Sequence, residues 1–515
     1  MLKNDIENIS SQCQVVFFNW VNPVVQASYT LPELSDSTIL DISKYVQEVT
    51  FSKTLNDAAG TFSIRLPNDR DWKAVLQRGT WGIIYMSNDD ALAIPADGDS
   101  PSLSRLRAQK DKVRGIVYID RVAANGRVGD ERGVFDVDFS VTGRDFGVVY
   151  LENEIWYNRL YSEGKIQEAA AGTLRIESVR NVTNLLQVLH KAFFSPQELP
   201  GITLEGESIT KAIPLQWLLP DKLIQALDLQ LKDTANGKPY YGNIDGLFDF
   251  STTLCSYPVD NPMTLINGKA WDRLKAHSIE PFHELFTETD DVGHPKLVFR
   301  YIPWKTSTGV ALGKLNQYVK SMALEVAQVP VDAIDIIDFD LGEDTHSRYN
   351  YFLTTIDTSL FSSNDTVADF KDTDPRTGFP RIQDNSIRRY GLRLMYTTVN
   401  GLIQLGSEKA DSDLLRLHNE LMLEYWNNAV FMESGTIGII GRNDVKCGKV
   451  LAINDNVPYN GGKVFYIEGY TDHFTVDDKG TGLWTQSLTV TRGFFPGSLS
   501  KRGEDYVDNG EFTKS

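Results

Sequence analysis

Apolar and polar residues alternate with a period of two in well-separated stretches of the chain. Phe62, Ile64 and Leu66 are interleaved with Ser63 and Arg65, and Phe135, Val137, Phe139 and Val141 with Asp136, Asp138 and Ser140. This period puts one face of each strand on a core and the other toward water or a partner. It predicts antiparallel β structure across the first 150 residues. Strand patterns return at 437–440, 450–453, 464–467 and 484–491.

Between these regions the period becomes helical. Leu185, Leu186 and Leu189 share one face, as do Ile224, Leu227 and Leu231 behind a start at Pro220 and Asp221. A further helix is expected to begin at Trp271 with Leu274 and to yield at Pro281, before Phe282, Leu285 and Phe286. The clearest amphipathic stripe is Leu414, Leu417, Leu421 and Tyr425, widened by Leu415, Met422 and Trp426. It predicts a helix over 411–428 with an Asp and Ser cap. The run Thr289, Asp290, Asp291, Val292, Gly293 reads as a hairpin turn feeding a strand over 296–301. Residues 87–111 are rich in Asp, Ser and Pro and carry no sheet period. They read as a long excursion from a hairpin, either used by a neighbouring subunit or disordered.

The chain also resembles itself, which is the pattern most able to change a fold assignment. Near the start the order is Gly60-Thr61-Phe62-Ser63-Ile64, then Gly79 before a strand, then Val117-Tyr118-Ile119-Asp120, then Phe139-Ser140-Val141-Thr142-Gly143. Near the end it is Gly435-Thr436-Ile437-Gly438-Ile439, then Gly448 before a strand, then Phe465-Tyr466-Ile467-Glu468, then Leu488 to Gly493. Tyr118 and Val141 are 23 positions apart, Tyr466 and Val490 are 24. Alternation and glycine turns are common to all antiparallel barrels, so the matched order of four distinct elements carries the repeat. Two similar barrels in one subunit would let three subunits place six around a ring, a pseudo-six-fold surface on a three-fold axis.

Composition narrows the function. With 515 residues, 41% hydrophobic and 23% charged, the chain has the balance of a folded protein of several domains. A net charge of -18 argues against a surface that grips nucleic acid through its phosphates. Cys13, Cys255 and Cys447 are far apart and odd in number, which fits neither a disulfide framework nor a zinc site and points to synthesis in a reducing cytoplasm. The N-terminal segment lacks a secretion signal, and no apolar run approaches the roughly 18 residues needed to span a membrane.

Candidate chemistry is sparse. The histidines at 190, 277, 283, 294, 346, 418 and 473 never fall at the i, i+4 spacing of a helical metal site. No nucleophile elbow and no phosphate loop ending in Gly-Lys-Ser or Gly-Lys-Thr occurs. Glycosidases need only two placed carboxylates, but Asp290-Asp291 and Asp477-Asp478 sit in expected turns, where Asp makes local hydrogen bonds. Asp136 and Asp138 face outward, where they could give a channel negative walls along which DNA slides. The sequence assigns no catalytic, cofactor-binding or metal residue, and the expectation is a protein that is not an enzyme.

Several segments carry a family resemblance. They are Gly143-Arg144-Asp145, Trp271-Asp272-Arg273-Leu274, Pro281-Phe282-His283-Glu284-Leu285-Phe286, Leu297-Val298-Phe299-Arg300-Tyr301-Ile302-Pro303, Arg348-Tyr349-Asn350-Tyr351-Phe352, Tyr390-Gly391-Leu392-Arg393 and the closing 488–493. In this order they resemble baseplate hub proteins of contractile-tailed bacteriophages, which are similar to the hub part of type VI secretion spike proteins. The resemblance implies a mainly β fold with α+β insertions. Two similar antiparallel β-barrel, tail-tube-like domains would flank a mixed α/β middle domain. The boundaries expected are a first tube-like barrel at 1–150, a mixed helical insertion at 151–270, a second β domain at 271–500 that includes the helix and second barrel, and a flexible tail at 501–515. It further implies a homotrimer in the virion baseplate, assembled in the bacterial cytoplasm. Its partners would be a tail tube or tube initiator, a central spike and surrounding wedge proteins, with DNA passing through unbound and no membrane insertion. The rival classes are a tail-associated cell-wall hydrolase and a receptor- or glycan-binding β protein.

Overall fold

A computed structural model describes residues 11–20, 37–88, 92, 94, 101–128, 135–152, 154–157, 197–204, 207–211, 219–229, 248–249, 266–275, 278, 283–301, 328–343, 349–356, 381–382, 387–388, 391–399, 432–477 and 479–495. The expected helix over 411–428, the stripe at Leu185, Leu186 and Leu189, and the tail at 501–515 lie outside the described residues.

The chain is mainly β. In chain order its strands are β1 (Gln12–Trp20), β2 (Ser37–Asp41), β3 (Glu48–Thr54), β4 (Thr61–Leu66), β5 (Trp81–Ser87), β6 (Val113–Val128) and β7 (Phe135–Asp145). Short strands follow: β8 (Glu154–Tyr157), β9 (Gln197–Leu204), β10 (Glu207–Lys211), β11 (Phe248–Asp249) and β12 (Ile266–Lys269). Then come β13 (His283–Thr289), β14 (Pro295–Tyr301), β15 (Gln328–Val331), β16 (Ile336–Glu343), β17 (Tyr351–Ile356), β18 (Arg381–Ile382) and β19 (Leu394–Val399). The last are β20 (Glu433–Ile440), β21 (Val450–Ile453), β22 (Val464–Val476) and β23 (Gly482–Phe494).

Thirteen strands form one sheet in the order β16-β20-β23-β22-β3-β4-β7-β6-β5-β1-β2, with β21 beside β22 and β15 beside β21. The run β5-β6-β7-β4-β3 is repeated as β21-β22-β23-β20-β16, every pairing within each run antiparallel. The likeness extends to atoms. Gly79 N–H donates to Ile119 O and Gly448 N–H to Ile467 O, each at 2.9 Å, with both glycines in the left-handed region at φ +85 and +76. Each long hairpin then bulges at the next residue, Asp120 or Glu468. The two acids meet arginines, Asp120 with Arg144 at 2.6 Å and Glu468 with Arg492 at 3.8 Å.

The register corrects the residue matching read from the sequence. Ile119 lies opposite Gly143 and Ile467 opposite Val490, so Val490 answers to Gly143 and not to Val141. By the same pairing Phe62, not Gly60, stands where Gly435 does. A slip of two residues leaves every side chain on the same face of a strand, so alternation alone does not detect it.

Among the described residues the two runs are halves of one sheet that does not close, and two barrel domains do not stand out in it. β3 of the first half pairs with β22 of the second, and the end strands β16 and β2 do not pair with each other. Across that seam a single buried cluster takes Phe17, Phe51 and Phe62 from one half and Ile437, Phe474 and Trp484 from the other. Burying the apolar faces of both halves against each other is what commits the halves to one core.

The described residues of the excursion at 87–111 are tied to the sheet between β5 and β6. Ser87 belongs to β5, and a helix at Leu103–Ala108, capped by the Ser102 hydroxyl, buries Leu106 and packs on the helix Asp221–Ala226. Gln109 donates to Gln14 of β1. The Asp221–Ala226 helix starts behind Pro220 as expected but stops before Leu231, with Asp228 at φ +57. A helix at Ala270–Lys275 and the β13–β14 hairpin stand where the sequence puts them. The hairpin turn closes with Gly293 at φ +82, and Asp290 Oδ1 accepts from Val292 N at 3.0 Å and His294 N at 2.8 Å.

Candidate assembly interface

The alternation of β3, whose residues Val49 and Phe51 are buried, delivers one apolar and one polar edge face to the seam. Thr471 lies opposite Ser52, Asp472 opposite Phe51, His473 opposite Thr50 and Phe474 opposite Val49. On the polar face the Ser52 and Thr471 hydroxyls are 3.0 Å apart, and Thr50 Oγ1 lies 3.4 Å from His473 Nδ1. On the apolar face Val49, Phe51 and Phe474 enter the shared core.

Two polar devices fasten the seam from behind. Arg114 occupies a bulge in β6, between the pairs Ile84–Gly115 and Tyr85–Val113, which turns its side chain out of the sheet's alternation. Its Nε donates to Asp472 Oδ2 at 2.8 Å and its Nη1 to Val445 O at 2.9 Å, both charged side chains being wholly buried. Asp472 Oδ1 also accepts from Trp484 Nε1 at 2.9 Å and Gln486 Nε2 at 2.7 Å. Burial opposes the guanidinium charge, but Asp472 beside it holds Arg114 above its ordinary value. The second device is the β13–β14 hairpin, whose Thr287 accepts from Lys53 Nζ at 2.8 Å and whose Glu288 accepts from Cys447 N at 3.0 Å and Tyr470 Oη at 3.2 Å. Glu284 bonds both Arg300 and Tyr466, and Lys53 is paired with Asp145. One strand thus spans residues from both halves with buried, charge-assisted bonds, which are the stronger class.

Lys446 lies in the same seam, 3% exposed, with its Nζ 3.3 Å from Val113 O. Burial, and then the nearby Arg114 charge, pull it from its usual 10.5 down to about 8. A lysine depressed in this way binds its proton less tightly folded than unfolded, so stability is reduced below pH 8 and rises as pH climbs from about 8 toward 10.5. Lys446→Met is expected to add up to about 3 kcal/mol at pH 7 and to flatten that rise. Urea titrations of both proteins at pH 7, 9 and 10.5 check it; an unchanged profile refutes the account.

The repeat implies a second seam that one chain does not make. The counterpart of β3 is β16, and among the described residues it is the outer edge of the sheet, with Ile337 41% and Phe339 44% exposed. The counterpart of the distal half of β22 is β6 from Arg121 to Val128, whose side away from β7 has no strand partner among the described residues. Residues 124–126 there are exposed.

The residues singled out for chemistry do not converge. Asp290 and Asp477 bind their own turns, Asp477 Oδ1 accepting from Lys479 N at 2.9 Å and Thr481 N at 2.7 Å. Asp138 accepts from Arg65 Nε at 2.8 Å, so its charge is met by a partner, and the polar face of the sheet is largely hydroxyls such as Thr50, Ser52 and Thr471. His283 is buried against Phe299, His473 is at the seam, and the histidines at 190, 277, 346 and 418 lie outside the described residues. Cys13 and Cys447 are free and buried, and burial pushes both thiols up. Among the described residues no cluster of His, Cys, Asp or Glu could hold a metal, and no helix is long and apolar enough to cross a membrane. Sequence reasoning missed Arg114, Asp472 and Glu288. It did flag the segment around Glu284, as part of the resemblance.

No protein-family model and no curated protein matches the chain. Among solved structures it is similar to the tail protein from Neisseria meningitidis MC58, at TM-score 0.43 and 10% identity, covering 94% of this chain and 96% of that one. It is also similar to the 43 kDa tail protein of prophage MuSo2 from Shewanella oneidensis, at TM-score 0.41 and 11% identity, covering 94% of this chain and 99% of that one.

Proposed function

We propose that this chain is a structural hub of a bacteriophage tail baseplate, three copies forming a pseudo-hexameric ring that adapts a hexameric tail tube to a trimeric central spike. The reading rests on one observation: a strand order that occurs twice, joined once within the chain and left open at the equivalent edges. Six such halves in a ring present a near six-fold face to the tube and a true three-fold to the spike. The role is one of shape and contact, with wedge proteins outside and the hydroxyl-rich sheet face offering DNA little to bind as it passes.

Mass in solution, measured alone and mixed with tail components, is expected to reach three times the 57.8 kDa of one chain. A dimer, or a monomer under both conditions, overturns the ring.

A further inference from the structure

We infer that a second copy of this chain lays its β16 edge along the distal half of β6, in the register that β3 already uses on β22. The inference rests on the ring reading and names the surface that would close it.

The register follows from the two halves. β4 and β20 fix the equivalence of the edge strands: Thr50 lies opposite Ser63 and Asp340 opposite Thr436, so Asp340 answers to Thr50, Phe339 to Val49 and Leu341 to Phe51. The bulges fix the long strands: with Asp120 matched to Glu468, Ala124 answers to Asp472, Asn125 to His473 and Gly126 to Phe474. Since His473 faces Thr50 and Phe474 faces Val49 in the existing seam, the new seam sets Asn125 opposite Asp340 and Gly126 opposite Phe339. Ala124 then faces Leu341, and Arg127 faces Asp338.

The chemistry of these pairs agrees with the register, though nothing in the alignment requires it. Phe339, exposed on the same face as the core residue Ile437, meets a glycine that leaves room for its ring. Asn125 supplies amide donors opposite the Asp340 carboxylate, and Arg127 brings a positive residue opposite Asp338. Slips by two would set Phe339 against Ala124 or Val128 in place of Gly126, and one of them would bring Asp340 opposite Arg127, so the glycine and not the charge selects the register. An open edge carrying exposed Ile337 and Phe339 is a hazard unless something covers it. The contact is head to tail, the edge of one copy on a different strand of the next, which generates a ring when the rotation closes.

The test is a full-length variant carrying Asn125→Cys and Asp340→Cys with Cys255→Ser, oxidised mildly and run on denaturing gels without reductant. Directly opposed residues bring Cβ atoms within about 5.5 Å, close to disulfide reach, and the native Cys13 and Cys447 are buried. Most of the chain is expected at three times its mass, returning to one on reduction. A control pair, Ala123→Cys with Asp338→Cys, lies four positions out of register and is expected to stay uncross-linked. Equal cross-linking of both pairs overturns the register. No cross-link in particles of threefold mass overturns this seam and leaves the ring standing, whereas no cross-link with a persistent single-chain mass removes the ring reading as well.

Discussion

Asp472→Asn is expected to cost about 3–5 kcal/mol of stability, because it leaves the Arg114 charge buried without its counter-ion. The two side chains are fully buried and 2.8 Å apart, and they come from opposite halves of the sheet. Asparagine nearly conserves volume and can still accept from Trp484 and Gln486, but its NH2 then replaces the oxygen that Arg114 Nε bonds, so the counter-charge and that acceptor are lost together. The double variant Asp472→Leu with Arg114→Met should recover much of the loss, since exchanging a buried pair for apolar groups is often close to neutral. Chemical denaturation of the parent, Asp472→Leu, Arg114→Met and the double variant closes the cycle, with Asp472→Asn measured beside them. An Asp472→Asn protein within about 1 kcal/mol of the parent would show that the pair does not hold the seam.

Gly435→Val is expected to release the β16 edge. Gly435 sits at φ +153, and a Cβ there would stand 1.9 Å from the Asp340 carbonyl oxygen. Neither the backbone angle nor the neighbouring main chain can accommodate valine, so a cost on the order of 3 kcal/mol should fall on the pairing of β16 with β20. Gly60→Val should act in the same sense on β3, where the Cβ would lie 2.6 Å from Ser52 O. Amide exchange reports both: faster exchange confined to 338–343 in the first variant and to 48–54 in the second. Unchanged protection of β16 would refute the steric account.

The alternation of Phe62, Ile64 and Leu66 revealed β4, and their burial against exposed Thr61, Ser63 and Arg65 follows that period residue by residue. The repeat was legible because order is preserved even where identity is not. Its exact register was not, since Val141 and Val490 occupy faces that a two-residue slip leaves unchanged. Arg114 was invisible for a different reason: it lies in an otherwise regular strand run, and only the bulge aims it inward. Glu284 and Glu288 mislead similarly, for in an alternating strand they look solvent-facing, yet every residue of β13 is buried because the hairpin is covered on both faces. Two halves sharing an unbroken sheet could not be inferred from patterns within either half, as the decisive pairing of β3 with β22 joins segments far apart in sequence.

That distance has a consequence during synthesis. Ser52 meets Thr471 across 419 residues, so the N-terminal half leaves the ribosome with the β3 edge unsatisfied. At bacterial or eukaryotic elongation speeds its partner strand emerges roughly 20 to 80 s later. Through that interval the nascent chain carries an unpaired, half-apolar ribbon able to capture the wrong strand, including the equivalent ribbon of a neighbouring polysome product. The connection that gives the mature sheet its continuity therefore leaves an open edge for as long as translation lasts, and a faster-translating or chaperone-rich host should yield more of the native form.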